Sequence, residues 1–141
     1  MKIVKEIDKR EAGETGSAGP RSRISIVDDD ASVREALKGL MRSVGRDVDA
    51  FGSAEEFLSS GRLRETACLI LDIRLPGMDG FELQERLKKE PRPIPVIFVS
   101  GHADEAARKK ALAAGAIELL TKPVRRGPLF SAIESAMSRR K

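Results

Sequence analysis

Residues 67–80 read Ala-Cys-Leu-Ile-Leu-Asp-Ile-Arg-Leu-Pro-Gly-Met-Asp-Gly, an apolar run that ends at an aspartate and continues into a loop. The run at 67–71 has no polar residue, which is typical of a central parallel strand covered on both faces. A Pro-Gly pair then favours a turn, and Asp79 with Glu82 forms a capping-box pattern that opens a helix. The stretch therefore predicts a strand, a turn and a helix, with Asp72 at the carboxyl end of the strand.

The same alternation of strand and helix patterns extends along the chain. Four further apolar or alternating runs predict strands, at residues 24–27, 48–51, 96–99 and 117–120. Each is followed by a helix pattern, and Gly115 stands where the fourth helix, roughly 103–114, needs a left-handed cap. Five strands alternating with five helices predict the α/β class, as a single doubly wound (βα)5 domain with a parallel sheet and right-handed crossovers.

The length of the chain, 141 residues, suits one domain with a tail rather than two domains of ordinary size. Residues 1–22 are polar and rich in glycine and serine, so they bury too little apolar surface to offset the entropy lost on ordering. We therefore predict a flexible N-terminal leader over 1–22 and a folded domain over 23–141.

The composition argues against several classes of protein. No apolar stretch approaches the roughly 20 residues that span a bilayer, and the first ten residues lack the apolar core of a secretory signal, so we expect a cytoplasmic protein without membrane insertion. The net charge of +4 comes partly from the two ends, and no basic stripe interleaved with aromatics supports direct nucleic-acid binding. The single cysteine, Cys68, lies in an apolar run and is expected to be a core side chain rather than a reactive thiol.

Polar groups follow the predicted strands at their carboxyl ends. Because these ends of parallel strands meet at one edge of a sheet, we expect the groups to lie together. Carboxylates that crowd one another raise each other's pKa unless a cation compensates, and Mg²⁺ prefers oxygen ligands. The pattern predicts a site for Mg²⁺ and a phosphoryl group, formed by Asp28-Asp29-Asp30, Asp72, Ser100 and Lys122.

Each of these groups also has a simpler explanation when taken alone. Three consecutive aspartates suit a helix N-cap, and Asp30 can serve that purpose only. Asp72 can be an ordinary turn residue, Ser100 a loop cap and Lys122 a solvated surface lysine. Together they suit a different chemistry: a carboxylate nucleophile, a hydroxyl donor to a phosphoryl oxygen and a fixed positive charge.

These motifs make the chain resemble a response-regulator receiver domain of two-component signalling, most similar to the branch in which a helix-turn-helix output domain follows. The resemblance extends from residue 24 to the last helix. It implies a flavodoxin-like fold with strand order 2-1-3-4-5. It does not indicate whether the protein acts alone or is a fragment cut before a DNA-binding domain.

The resemblance also implies the roles of the site residues. Asp72 is implied to be the phosphoacceptor, which receives the phosphoryl group from the phosphohistidine of a sensor histidine kinase or a phosphotransfer protein. Ser100 and Lys122 match the hydroxyl and the lysine of the family. The implied Mg²⁺ ligands are Asp29, Asp28 (directly or through a water), Asp72 and the backbone carbonyl of Arg74. Such a domain is not an enzyme in the ordinary sense, because it assists only its own phosphorylation and dephosphorylation.

Three further positions are implied to modulate the switch. Arg74 and His102 stand beside the site in the motifs and can set water access, although for His102 a plain loop role is equally open. Leu119 occupies the position, three before Lys122, where most relatives carry an aromatic that rotates on activation, so the usual coupling to the output face is in question. That face, formed by the fourth helix, fifth strand and fifth helix, is the implied surface for a homodimer or a downstream partner.

Two other functions compete with a phosphoaccepting switch. A pseudo-receiver would keep the fold as an interaction adaptor without phosphate turnover, and the complete set of acids, hydroxyl and lysine argues against it. A phosphohydrolase with an aspartyl-phosphate intermediate would want a second aspartate two residues after the nucleophile, where this chain has Arg74.

Overall fold

The computed structural model describes residues 22–139. Apart from Ser22, the predicted leader over 1–22 lies outside the described residues, as do the last two residues of the predicted domain. Within the described part, five strands alternate with five α-helices. The elements are β1 (Arg23–Val27), α1 (Ala31–Ser43), β2 (Val48–Phe51), α2 (Ala54–Ser59), β3 (Thr66–Asp72), α3 (Gly80–Leu87), β4 (Val96–Ser100), α4 (Glu105–Ala113), β5 (Glu118–Thr121) and α5 (Arg126–Ser138), with a 3₁₀ turn (Leu63–Glu65) before β3.

The strands form one parallel sheet in the order β2-β1-β3-β4-β5, which confirms the predicted α/β, flavodoxin-like topology. Its two faces are covered by different helices. On β3, Cys68 and Ile70 pack with apolar residues of α1 and α5, whereas Leu69 and Leu71 pack with those of α2, α3 and α4. All seven residues of β3 are buried, as its unbroken apolar run predicts. Cys68 is therefore a core side chain.

The capping residues indicate where the helices begin more accurately than the apolar pattern does. Helix α4 begins at Glu105, two residues later than predicted, because Asp104 accepts a hydrogen bond from the Ala107 N–H and ends the preceding loop. Asp79 and Glu82 form the predicted reciprocal capping box. Before α2 the box is incomplete, since Ser53 accepts from the Glu56 N–H but Glu56 accepts from the N–H of Gly52 instead.

The register of the central strands brings the polar residues to one edge. Val27 pairs with Leu71, so the next residues of β1 and β3 are both aspartates. At the opposite edge, where β3 begins, the Ser25 and Thr66 hydroxyls lie 2.7 Å apart and are fully buried. Thr66 Oγ1 donates to the Arg62 carbonyl, which leaves the Ser25 hydroxyl as the donor between the two strands. Among the helices of residues 22–139, none combines the length and apolar character needed to cross a membrane.

Candidate functional site

Three carboxylates meet at the carboxyl edge of the sheet. Asp28, Asp29 and Asp72 each offer an oxygen, and these oxygens lie within 4.8 Å of one another. Asp28 is fully buried and Asp72 is 4% exposed, whereas Asp29 faces solvent. The spatial prediction from the sequence is thus met: residues far apart in the chain share one pocket because β1 and β3 are neighbours.

Lys122 lies between two of these carboxylates. Its Nζ is 2.9 Å from Asp28 Oδ2 and 3.0 Å from Asp72 Oδ2. Its backbone is fixed as well, since the Lys122 N–H donates to the Ser100 carbonyl at 2.9 Å and so continues the pairing of β5 with β4. The sheet therefore determines the position of the lysine, and the ammonium reaches the acids from the far side of β4.

The electrostatics of the site favour an additional cation. Burial, together with the like charge of Asp28, raises the pKa of Asp72 even though Lys122 and the Arg74 N–H oppose this. Burial alone would lower the pKa of Lys122, but its contacts with Asp28 and Asp72 raise it overall, so the ammonium stays protonated. The three carboxylates share the single ammonium of Lys122, so acidic groups outnumber basic ones within the cluster.

The donor set fits a hard divalent cation. All three side chains offer oxygen, which suits Mg²⁺ rather than softer metals. Asp28 Oδ2 is buried and, among the described residues, has no hydrogen-bond partner, because its close contact with Lys122 does not have hydrogen-bond geometry. A carboxylate oxygen has more than one lone-pair site, so this ion pair leaves capacity for a further ligand. Exposed Asp29 leaves a route from solvent for a hydrated ion.

The third aspartate of the run does something different. Asp30 is the N-cap of α1, and its side chain accepts hydrogen bonds from the Ser32 and Val33 N–H groups. The Ser32 hydroxyl also donates to it at 2.7 Å and lowers the pKa of Asp30. This carboxylate is thus engaged by the helix, in agreement with the capping role.

Ser100, the last residue of β4, and Arg74, in the loop after β3, lie at the same edge of the sheet as the acids. Ser100 is buried at the end of β4, and its Oγ accepts from the His102 N–H at 3.0 Å. That bond is the loop-capping role, and it leaves the hydroxyl hydrogen available for a second partner. The Arg74 N–H donates to Asp72 Oδ1 at 3.1 Å. The side chains of Arg74 and His102 are exposed.

The loop that follows Asp72 is tightly folded. The Gly80 N–H donates to the Ile73 carbonyl at 2.9 Å, which brings the start of α3 against the end of β3. A Cβ at Gly80 would lie 2.4 Å from the Asp72 carbonyl oxygen, so only glycine allows this approach. Gly77 has φ +72, the left-handed conformation that a Pro-Gly turn needs.

A sequence model of the response regulator receiver domain matches residues 24–134, nearly all of the described chain. The chain belongs to this family. Response regulator protein TodT of Pseudomonas putida is 46% identical over 116 residues, which cover 82% of this chain and 51% of TodT. Nodulation protein W of Bradyrhizobium diazoefficiens is 41% identical over 132 residues, covering 94% and 58%. The solved structure of response regulator StyR superposes with a TM-score of 0.76 at 43% identity, covering 86% of this chain and 61% of StyR.

This receiver domain thus spans about half the length of the curated relatives that it matches. Its fold and its family are those of a two-component response regulator.

Leu119 of the receiver domain is buried, with 4% of its surface exposed. It belongs to the core cluster on the α4 side of the sheet, together with Phe98 and Ala111. The carboxylate of its neighbour Glu118 pairs with the guanidinium of Arg108 on α4. Arg108 Nη1 lies 2.8 Å from Oε1, and Nη2 donates to Oε2 at 3.2 Å. The residue three positions before Lys122 is therefore a packed aliphatic side chain beneath α4.

Two residues near the site were missed by sequence reasoning. Arg34 Nη1 donates to the Asp28 carbonyl at 2.7 Å, and Glu55 Oε2 accepts from the Met78 N–H at 2.9 Å. Glu55 lies in the first turn of α2, where acids are common because of the helix dipole, and Arg34 is a charged side chain on the surface of α1, where charge is common for solubility. Only the three-dimensional contact distinguishes them from their neighbours.

Proposed function

We propose that this receiver domain accepts a phosphoryl group on Asp72 from the phosphohistidine of a sensor histidine kinase or a phosphotransfer protein, in a Mg²⁺-dependent reaction in the cytoplasm. It then changes conformation and signals to a partner or an output domain. The observation that carries the proposal is the buried carboxylate of Asp72, held 3.0 Å from the ammonium of Lys122 within the acidic cluster. Membership of the receiver family supports it.

The reaction assigns one step to each group. An oxygen of Asp72 attacks phosphorus in line, the P–N bond to the donor histidine breaks, and an acyl phosphate forms on Asp72. Lys122 balances negative charge on the phosphoryl oxygens. The metal would be held by Asp28, Asp29, Asp72 and the backbone carbonyl of Arg74, and when bound it neutralises the charge of the transferring group. Water attack on the acyl phosphate resets the domain, with access set by the exposed side chains of Arg74 and His102.

The switch would begin at Ser100. Once Asp72 carries a phosphoryl group, the Ser100 hydroxyl can donate to one of its oxygens, which favours the conformation with the β4–α4 loop drawn toward the site. The N–H of Lys122 bonds to the Ser100 carbonyl, so the two strand ends move together. Leu119, three residues before Lys122, would transmit this displacement to α4 as an aliphatic side chain.

The decisive experiment is phosphorylation with a small acyl-phosphate or amido-phosphate donor and Mg²⁺, followed by intact-mass measurement. We expect the mass of one added phosphoryl group on the wild type and none on Asp72→Asn. Asp30→Asn is the matched control, because it makes the same charge change at a carboxylate that caps α1, and asparagine caps helices equally well. An unmodified wild type would favour the adaptor function, and steady turnover of a soluble phosphate ester would favour a phosphohydrolase.

We further propose the α4-β5-α5 face as the surface for a homodimer or a downstream partner. Gel filtration with and without beryllium fluoride, a mimic of the phosphoryl group, tests dimerisation. A shift to twice the mass would support it, and an unchanged elution volume would remove dimerisation from the proposal.

A further inference from the structure

We propose that Glu55 of α2 is a positioning residue for the metal site, which acts by fixing the loop that follows Asp72. This inference rests on the function proposed above. The residue is not a member of the acidic cluster. Its effect would be transmitted through Met78 and the short loop that also contains Arg74.

The contact joins two elements that are distant in sequence. Glu55 Oε2 accepts a hydrogen bond from the Met78 N–H at 2.9 Å, across 23 residues. The same oxygen lies 2.7 Å from the place where a Cβ at residue 77 would be, so the carboxylate sits directly against Gly77. This bond lowers the pKa of Glu55, which keeps the carboxylate ionised. A charged acceptor makes a stronger hydrogen bond to a backbone N–H than a neutral one.

The hydrogen bond from the Met78 N–H to Glu55 holds the middle of the loop, whereas the other hydrogen bonds of the loop hold its two ends. At one end the Arg74 N–H donates to Asp72 Oδ1, and the Gly80 N–H donates to the Ile73 carbonyl. At the other end the capping box of Asp79 and Glu82 begins α3. Between these ends the turn is made by Leu75, Pro76, Gly77 and Met78, and the amide of its last residue is the one that Glu55 holds.

The turn between Arg74 and Met78 is stiff, so fixing Met78 also restricts the backbone at Arg74. Proline fixes its own φ, and the left-handed glycine completes a turn of defined shape. Leu75 is 8% exposed and packs in the core, so its side chain also holds the turn against the domain. The peptide at Arg74, whose carbonyl is proposed to bind the metal, lies directly before this turn. Holding Met78 therefore restricts the orientation of that carbonyl.

The neighbouring acid provides a contrast. Glu56 accepts from the Gly52 N–H at 2.6 Å, so it stabilises the start of its own helix. Glu55 instead binds the loop that leaves β3. Two adjacent carboxylates, both exposed to solvent, thus have different roles, and only the first is connected to the segment after Asp72.

The test measures Mg²⁺ affinity by isothermal titration calorimetry on Glu55→Ala and Glu55→Gln. We expect a weaker Kd for Glu55→Ala, by up to about fivefold, the value of one hydrogen bond; this is an upper limit because the bond also exists without the metal. Glu55→Gln retains an acceptor oxygen and should stay within about twofold of the wild type. Glu35→Ala is the control, because Glu35 is exposed and contacts Lys38 on α1. Its Kd should equal that of the wild type.

Two further readouts separate positioning from a general loss of structure. Amide exchange at Met78 should accelerate in Glu55→Ala and not in Glu35→Ala. The rate of Asp72 phosphorylation should fall at low Mg²⁺ and return to within about twofold of the wild type at saturating Mg²⁺, since only the metal affinity has changed.

An unchanged Kd in Glu55→Ala, or an equally weak Kd in Glu55→Gln, would overturn the inference while leaving the proposed function intact. A wild type that binds no Mg²⁺ would overturn both. The two failures are therefore distinguishable in the same set of titrations.

Discussion

Lys122 Nζ lies 3.0 Å from Asp72 Oδ2, although 50 residues separate them along the chain. The contact crosses an entire strand, since β4 lies between β3 and β5 in the sheet. It also brings the ammonium within 2.9 Å of the fully buried Asp28. Removing either partner should therefore have consequences for both stability and function, and the two can be measured apart.

Asp72→Asn is expected to stabilise the metal-free domain at neutral pH. The pKa of Asp72 is raised by burial and by Asp28, so the fold disfavours its charged form. The protonated Asp72 carboxyl contributes its full stabilisation of the fold below the pKa of the unfolded state, about 3.9. This stabilisation is lost as the pH rises through the higher pKa of the folded state. The Tm difference between Asp72→Asn and wild type should therefore grow from about pH 4 to pH 7, and a destabilised variant at pH 7 would contradict this.

Mg²⁺ is expected to raise the Tm of the wild type, because it binds the native state and an unfolded chain has no such cluster. At ten times the Kd the gain is about 1.4 kcal/mol. Asp29→Asn should lose most of this gain, as it removes the solvent-facing member of the cluster. Asp30→Asn should keep it. Calcium-free differential scanning calorimetry over a Mg²⁺ series would provide the comparison.

Lys122→Met should destabilise the domain by about 1–2 kcal/mol, because two buried carboxylates lose their common counter-charge. The value is below that of a fully buried pair, since the lysine side chain is 22% exposed. Saturating Mg²⁺ should reduce the difference, as a cation can replace the missing charge. Lys38→Met, which breaks an exposed ion pair on α1, should change the free energy of unfolding by less than about 0.5 kcal/mol. Equal denaturation midpoints for the two variants would refute the prediction.

Gly80→Ala should destabilise the domain by about 2–3 kcal/mol, because the new methyl group would lie 2.4 Å from the backbone of Asp72. Its matched control is Gly39→Ala in the middle of α1, where a Cβ meets nothing within 4 Å. That substitution should stabilise by about 0.5–1 kcal/mol, through helix propensity. Urea denaturation measures both, and a Gly80→Ala variant as stable as the wild type would show that the close approach at Gly80 is not tight.

Much of this architecture could be predicted from the sequence, for identifiable physical reasons. The unbroken apolar run of β3 required cover on both faces, and the positions of Asp28 and Asp72 directly after apolar runs placed them at one edge. What could not be predicted were contacts formed by flexible charged side chains on helix surfaces. Arg34 and Glu55 are of this kind, because a charge on the surface of a helix has several ordinary explanations and only the packing of neighbouring loops selects one.

The residue-by-residue boundaries depended on hydrogen bonds rather than on hydrophobicity. The start of α4 followed its cap at Asp104, and β5 begins at Glu118 rather than at 117. Such shifts of one or two residues did not move the site. Ser100 and Lys122 remained at adjoining strand ends, since the pairing of Ser100 with Thr121 fixes their relative height.

The buried hydroxyl pair of Ser25 and Thr66 has a consequence at the opposite end of the molecule. Both faces of β3 are apolar, so sliding this strand past β1 by one step would still bury hydrocarbon on each side. Such a shift would, however, leave the Ser25 hydroxyl without its hydrogen-bond partner on β3, and it would move Asp72 about 3.3 Å along the strand relative to Asp28. The two hydroxyls thus help to fix the register of β3 on β1, and the geometry of the ion-binding pocket depends on a polar contact three residues before Asp28 on β1 and six residues before Asp72 on β3, roughly 10 and 20 Å along the strands.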